Sequence, residues 1–114
     1  MKFQDLKVWQ KSLELVKDIY STTKSFPSDE LYGITSQMRR SAVSIPTNIA
    51  EGFRRNYPKE YRQFLSIALG SCAELETLIE IACQLKYIND NKKLEFFETI
   101  DHICAMIVNL RKKL

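Results

Sequence analysis

A proline lying inside an unbroken helical apolar repeat constrains this chain more than any other feature. Through the stretch Gln37–Arg55, QMRRSAVSIPTNIAEGFRR, and the residues just before it, Leu31, Ile34, Met38, Ala42, Ile45, Ile49 and Phe53 recur in steps of three and four. That spacing lays all seven along one side of a helix. Pro46 falls within the repeat, has no amide hydrogen to give the Ala42 carbonyl, and crowds that carbonyl with its ring. Because Ile49 and Phe53 keep the phase of Ile45, one continuous, bent helix is expected rather than two separate ones. Ser41, Ser44 and Thr47 are the hydroxyls within reach of backbone groups at the bend. Gly52 offers the backbone freedom of a helix exit.

The segments on either side also read as helices. The first carries Leu6, Trp9, Leu13, Val16, Tyr20 and Thr23 as its main stripe and Val8, Leu15 and Ile19 as a second edge, with Asp5 as N-cap. Pro27 ends the connection that follows, and Ser28 is placed to cap the second helix, which starts either near Leu31 or only after Gly33. Asn56 and Pro58 open a third helix whose main stripe is Tyr61, Leu65, Ala68, Cys72, Leu75, Ile79 and Ala82. Phe64, Ser71, Leu78 and Leu85 form its second line, and Gly70, Ser71 and Ala73 thin its surface enough for close helix contact. Asn89 or Asp90 caps a fourth helix with Phe97, Ile100, Cys104 and Ile107 on one face and Ile103, Leu110 and Leu114 on its edge. Four long amphipathic helices on short connections predict an all-α, antiparallel up-and-down four-helix bundle with a proline-containing second helix, forming a single domain over residues 1–114.

A chain of 114 residues, 45% apolar and 27% charged, can bury a core without covalent staples. Cys72, Cys83 and Cys104 are odd in number and lie in apolar periodic segments, so buried thiols in a reducing compartment are expected rather than disulfides. With no signal sequence and no apolar run long enough for a bilayer, the expected location is cytoplasmic, away from membranes. No CxxC pair, ExxH pair or phosphate-binding glycine loop points to a metal or cofactor. For the single histidine, His102, neither spacing nor a motif proposes a catalytic triad, so no catalytic residue is assigned and no enzyme is expected.

The formal charge of +3 is a small excess, but its placement matters more than its size. Arg39 and Arg40 lie in the central helix, while Arg54, Arg55, Lys59 and Arg62 gather about the connection to the third. Guanidinium and ammonium groups there suit phosphate contact, and Tyr57 is free to stack on an exposed base. The bland alternative is a solvated turn with local salt bridges to Glu51 and Glu60. Ser44, Asn48 and Glu51, with Arg40 on a neighbouring turn, are suited to a polar network that fixes helix register. Glu74, Glu76 and Glu80 read as a solvated helix face.

The central stretch, taken with DLKVWQ near the N-terminus, FPSDELYG before it and LGSCAELETLIEIA in the third helix, resembles the bacterial four-helix-bundle proteins related to those encoded in 23S rRNA intervening sequences. The pieces occur in order and cover nearly the whole chain, which implies the same fold. That family is similar in turn to the accessory variability proteins of diversity-generating retroelements, pentameric positively charged barrels that interact with nucleic acid and reverse transcriptase. The resemblance implies a homo-oligomer, with a pentamer as its form, and a nucleic-acid-processing protein as partner. It maps the family pattern onto Arg39, Arg40, Ser44, Asn48, Glu51 and Gly52 in the second helix and Gly70, Ser71 and Glu74 in the third. The expectation is a noncatalytic oligomeric accessory protein that binds RNA or DNA through Arg39, Arg40, Arg54, Arg55, Tyr57, Lys59 and Arg62. In the competing reading it is a structural protein–protein interaction module with no direct nucleic-acid role.

Overall fold

The repeat around Pro46 folds as one helix. In the computed structural model, which describes residues 1–114, α1 spans Lys7–Thr23, α2 Ile34–Phe53, α3 Pro58–Gln84 and α4 Asp90–Lys112, with single 3-10 turns at Phe3–Asp5 and Ser28–Glu30. The helices run up and down as a four-helix bundle about 43 Å long, with α2 against α3 as its most extensive seam. Helix α2 begins after Gly33, not at Leu31, and continues through Pro46. Near the proline, the Thr47 hydroxyl donates to the Val43 carbonyl at 2.8 Å and the Asn48 amide to the Ser44 carbonyl at 2.8 Å. Ser41 bonds its own preceding turn, at the Met38 carbonyl. Ser44 does not serve the backbone at all; its hydroxyl reaches across to α3.

The α2 stripe is the core wall that its periodicity promised. Met38, Ala42, Ile45 and Ile49 are wholly buried, Ile34 nearly so, while Leu31 is largely exposed and Phe53 half-buried. In α1 the second edge is the deeper one, while Leu6, Trp9 and Val16 of the main stripe pack half-buried against the core. Val8, Leu15 and Ile19 face the core, and Leu13 and Tyr20 look outward. Both edges are apolar, so hydrophobicity alone does not choose between them; the inner set is the one whose phase continues into Ser12 and Thr23, whose hydroxyls bond back to helix carbonyls. In α3 the main stripe is buried from Leu65 to Ala82, and in α4 Ile100, Ile103 and Ile107 are joined by Phe96 rather than its neighbour Phe97.

The ends depart from the expected caps in three places. Asp5 closes the first 3-10 turn by accepting from the Lys2 amide, and Leu6, not Asp5, precedes α1. Ser28 opens the second 3-10 turn instead of capping α2. Tyr57, not Asn56, stands at the start of α3, with Pro58 in its first turn. Asn89 caps α4 as expected, its side-chain oxygen accepting from the Lys92 amide at 2.7 Å. Between α3 and α4 the chain turns on Lys86, which has φ 69°, while the Tyr87 and Lys86 amides bond back to Ala82 and Cys83. That is the helix-terminating pattern that glycine usually serves. Tyr87 then anchors the bundle end through a 2.8 Å bond to Glu30 and a ring contact with Phe26.

All three cysteines are free thiols, but only Cys72 is fully buried; Cys83 and Cys104 are half-buried. The neighbouring Cys104 thiol and burial together hold the Cys72 thiol above its ordinary range. Cys83 donates to the Asp90 carboxylate at 3.2 Å, which pushes its thiol up as well. No helix is long and apolar enough to cross a membrane.

Candidate nucleic-acid interface

Up-and-down topology brings the C-terminal ends of α2 and α4 and the N-terminal end of α3 to one end of the bundle. The structure therefore gathers Arg54, Arg55, Lys59 and Arg62 as the spacing implied, and adds Arg111 and Lys112 from the last turn of α4 and Lys113 just beyond it. Arg62 donates to the main-chain oxygen of Leu114 at 2.6 Å, and Arg111 donates to the Ser66 hydroxyl at 3.2 Å, so α3 and α4 are tied together there. In sequence the α4 cations look like a simple helix-end complement to the dipole. Their place beside Arg62 follows from topology, which a linear reading supplies only once the antiparallel order has been assumed.

The salt bridges to Glu51 and Glu60 offered as the bland reading are absent. All ion pairs lie elsewhere: Lys92 with Asp18 and Glu95, and Lys93 with Glu80, all reached from the N-terminal end of α4. Arg54 and Arg55 rest on aromatic rings instead. The Arg54 guanidinium lies 5.2 Å from the centre of the Phe3 ring, and that of Arg55 lies 4.8 Å from Phe64. Phe3 is itself held edge-on by Trp9 and Phe53, and Phe53 by Tyr61, so Arg54 sits on an aromatic floor that steadies its plane. A stacked guanidinium keeps its charge and leaves its N–H edge free for a phosphate oxygen. An open recess of about 510 Å³ lies beside them, lined by Phe3, Ala50 and Glu51 as well as the two arginines.

Tyr57 is 66% exposed on the connection between Arg55 and Lys59, clear of the core, as a stacking residue needs to be. Tyr61 belongs to packing. Its ring abuts Phe53, its hydroxyl is buried without a partner, and burial raises its pKa.

Arg39 and Arg40 do not join this cluster. They lie fifteen residues back along α2, a rise of about 22 Å at helical pitch. Arg39 is occupied, donating from Nε to the Thr23 hydroxyl at 2.9 Å with its guanidinium 4.6 Å from the centre of the Tyr20 ring, so it fastens α2 to α1. Arg40 is exposed and bonded to nothing in the chain.

Of the polar positions in the family pattern, three form a network. The Asn48 amide donates to Ser44 Oγ at 2.9 Å, Ser44 and Ser71 share a 2.7 Å hydrogen bond, and Ser71 reaches the Ile67 carbonyl at 3.2 Å. This chain of bonds pins the α2–α3 register. Glu51 and Glu74 are exposed and take no part. Gly52 is not the flexible exit that its place near the helix end implied. It is buried within α2, and a Cβ there would lie 2.8 Å from Phe64 Cβ and 2.9 Å from Tyr61 Cδ1. Its hydrogen is what lets α2 and α3 meet. His102 is exposed on α4, and no three His, Cys, Asp or Glu side chains converge as a metal set.

The fold and this end of it define a class: an all-helical antiparallel bundle, held in register by a small hydroxyl–amide network, with unneutralised cations concentrated at one end. The 23S rRNA-intervening sequence protein family model matches residues 4–109, and the chain belongs to that family. Among solved structures it is similar to a protein of unknown function from the S23 ribosomal protein family of Bacteroides thetaiotaomicron VPI-5482, with a TM-score of 0.82 and 24% identity over 92% of this chain and 98% of that one. That likeness establishes the shared fold. No curated protein matches the chain.

Proposed function

We propose that the protein is a noncatalytic nucleic-acid-binding accessory protein acting as a homo-oligomer, and that the cationic end of each bundle contacts phosphates. The observation that carries this reading is the absence of any carboxylate partner for Arg54, Arg55 and Lys59, in a chain whose Lys–Asp and Lys–Glu ion pairs are all made elsewhere. Arg54 and Arg55 supply directed N–H edges, Lys59 adds charge, and Tyr57 offers a face for an unpaired base. Arg62 contributes charge while holding α3 to α4. Arg39 and Arg40 fall outside this surface. Nothing here reads a base sequence, so recognition is electrostatic and shape-based, and RNA and DNA are both substrates for the test.

Binding of the purified protein to structured RNA, single-stranded RNA and duplex DNA is to be measured against salt, beside the variant Arg54→Glu/Arg55→Glu. Affinity that falls with salt, with a slope shallower by about 2 in the variant, is the expected result. Identical binding curves for the two proteins would remove this surface from consideration.

The second reading, a protein–protein interaction module, is favoured by a different observation. Leu13, Tyr20 and Val43 remain exposed along the α1–α2 groove, where no charge on the bundle end explains them.

A further inference from the structure

The α3–α4 seam holds the only pair of thiols that this fold can join within one chain. Cys72 and Cys83 lie on a single helix, eleven residues apart, a rise of about 16 Å. Cys83 is level with Asp90, to which it is bonded, and Cys104 stands fourteen residues further along α4, about 21 Å away. Both separations are far beyond the roughly 7 Å between Cα atoms that a disulfide can span.

Cys72 and Cys104 are placed differently. Counted along antiparallel α3 and α4 from the Arg111–Ser66 bond, Cys72 is level with Ala105; counted from the Lys93–Glu80 pair, it is level with Asp101. Cys104 lies between those two positions and continues the stripe of Ile100 and Ile107, packed against the core. Cys72 holds the matching place on α3, between the wholly buried Ala68 and Leu75. Glu76 and Asp101 face each other across the same level, where burial and the Asp101 charge raise the Glu76 carboxyl. The two thiols are neighbours as well, and the Cys72 thiol draws the Cys104 pKa below its ordinary value. Their access to solvent is unequal. Cys72 is wholly buried, whereas Cys104 is half-buried at the edge of the seam. A small solute therefore meets Cys104 first, with a second sulfur behind it to resolve the product.

We propose that Cys72 and Cys104 form a reversible redox-modification site, oxidised by a small hydroperoxide to a disulfide that staples α3 to α4. In the first step the Cys104 thiolate attacks one peroxide oxygen. An S–O bond forms, the O–O bond breaks, and the departing oxygen of hydrogen peroxide leaves as water with the proton that the thiol released. The Cys72 sulfur then attacks the Cys104 sulfur. The S–S bond forms, the S–O bond breaks, and the second oxygen leaves as water with the Cys72 proton. Two thiols are oxidised, one peroxide is reduced, and a dithiol reductant reverses the change by exchange. Cys83, held by Asp90, takes no part. The site is independent of the nucleic-acid reading, because neither sulfur belongs to the cationic end.

The test treats the native full-length chain with hydrogen peroxide, blocks the remaining thiols in denaturant, and maps the links by non-reducing peptide mass spectrometry. The expected product is a single intramolecular Cys72–Cys104 link, lighter by two hydrogens, with free thiols falling from three to one and full recovery in dithiothreitol. Cys83→Ala should form the same link. In the unfolded chain Cys72–Cys83 and Cys83–Cys104 close smaller loops, so the same oxidation in urea should scatter the pairing. The oxidised protein should also unfold at a higher temperature than the reduced one, because the link restricts the unfolded chain. Wild-type protein carries the measurement, so no core substitution has to fold. The assignment is overturned if oxidation stops at Cys104 sulfenic or sulfinic acid with Cys72 free, if it joins Cys83 or two chains, or if all three thiols survive. A Cys72–Cys104 preference that persists in urea, or a lower unfolding temperature after oxidation, overturns it too.

Discussion

Gly52 and Gly70 stand on facing helices of the same bundle and illustrate opposite reasons for a glycine. At Gly52 the space is already filled, and Phe64 Cβ, Tyr61 Cδ1 and the Tyr61 carbonyl crowd the position a side chain would take. At Gly70 the space is empty. The first glycine is explained within the chain, since the α2–α3 seam closes over it and the Ser44–Ser71 bond lies in the same seam. The second has no explanation within the chain. Two residues with equal helix propensity therefore separate a packing requirement satisfied inside the protomer from one that points beyond it.

The most severe way to break this comparison is to give Gly52 a side chain. Gly52→Ala puts a methyl group against a side-chain Cβ and a neighbouring carbonyl, neither of which rotates away, so helix propensity is outweighed by overpacking. A loss of about 1–3 kcal/mol in urea unfolding is expected; a more stable variant would mean that the α2–α3 seam is looser than described. Ser71→Ala tests the same seam more gently. It removes the partner of Ser44 across the helices, and a loss of about 1 kcal/mol is expected. A double-mutant cycle with Ser44→Ala should give clearly less than the sum of the single losses, because both changes delete one bond. Additive losses would show that the two hydroxyls act independently.

Sequence periodicity carried the inward half of this comparison well and the outward half poorly. The α2 stripe was legible because Ile34, Met38, Ala42, Ile45 and Ile49 admit only one helical phase, and Pro46 does not disturb it. In α1 two apolar phases compete, and the buried one, Val8–Leu15–Ile19, was the less populated in sequence. Phe96 was hidden beside Phe97, although its steps to Ile100, Ile103 and Ile107 were the signal that would have found it. Gly52 looks like an exit in the sequence because a single chain shows where a glycine lies but not which helix crosses it. The cationic cluster was half legible: Arg54, Arg55, Lys59 and Arg62 are neighbours in sequence, whereas Arg111–Lys113 join them only through the fold. Arg39 and Arg40 share only charge with that cluster, and the helical rise along α2 keeps them apart from it.

Gly70→Ala gives the smallest effect and sharpens the comparison most, because its two consequences have opposite signs. In an isolated protomer the added methyl group enters open space and the helix gains alanine propensity, so stability should rise by about 0.5–1 kcal/mol. In an assembly whose neighbouring helix packs against that position, the same methyl group holds the backbones apart and weakens association. Association stabilises the folded chain by mass action, so its contribution grows with protein concentration. Unfolding followed at two concentrations, one below and one above the dissociation midpoint, resolves the two effects. The variant should be the more stable protein in the dilute sample and lose that advantage in the concentrated one. A gain of the same size at both concentrations would leave Gly70 facing solvent on an ordinary wet helix face.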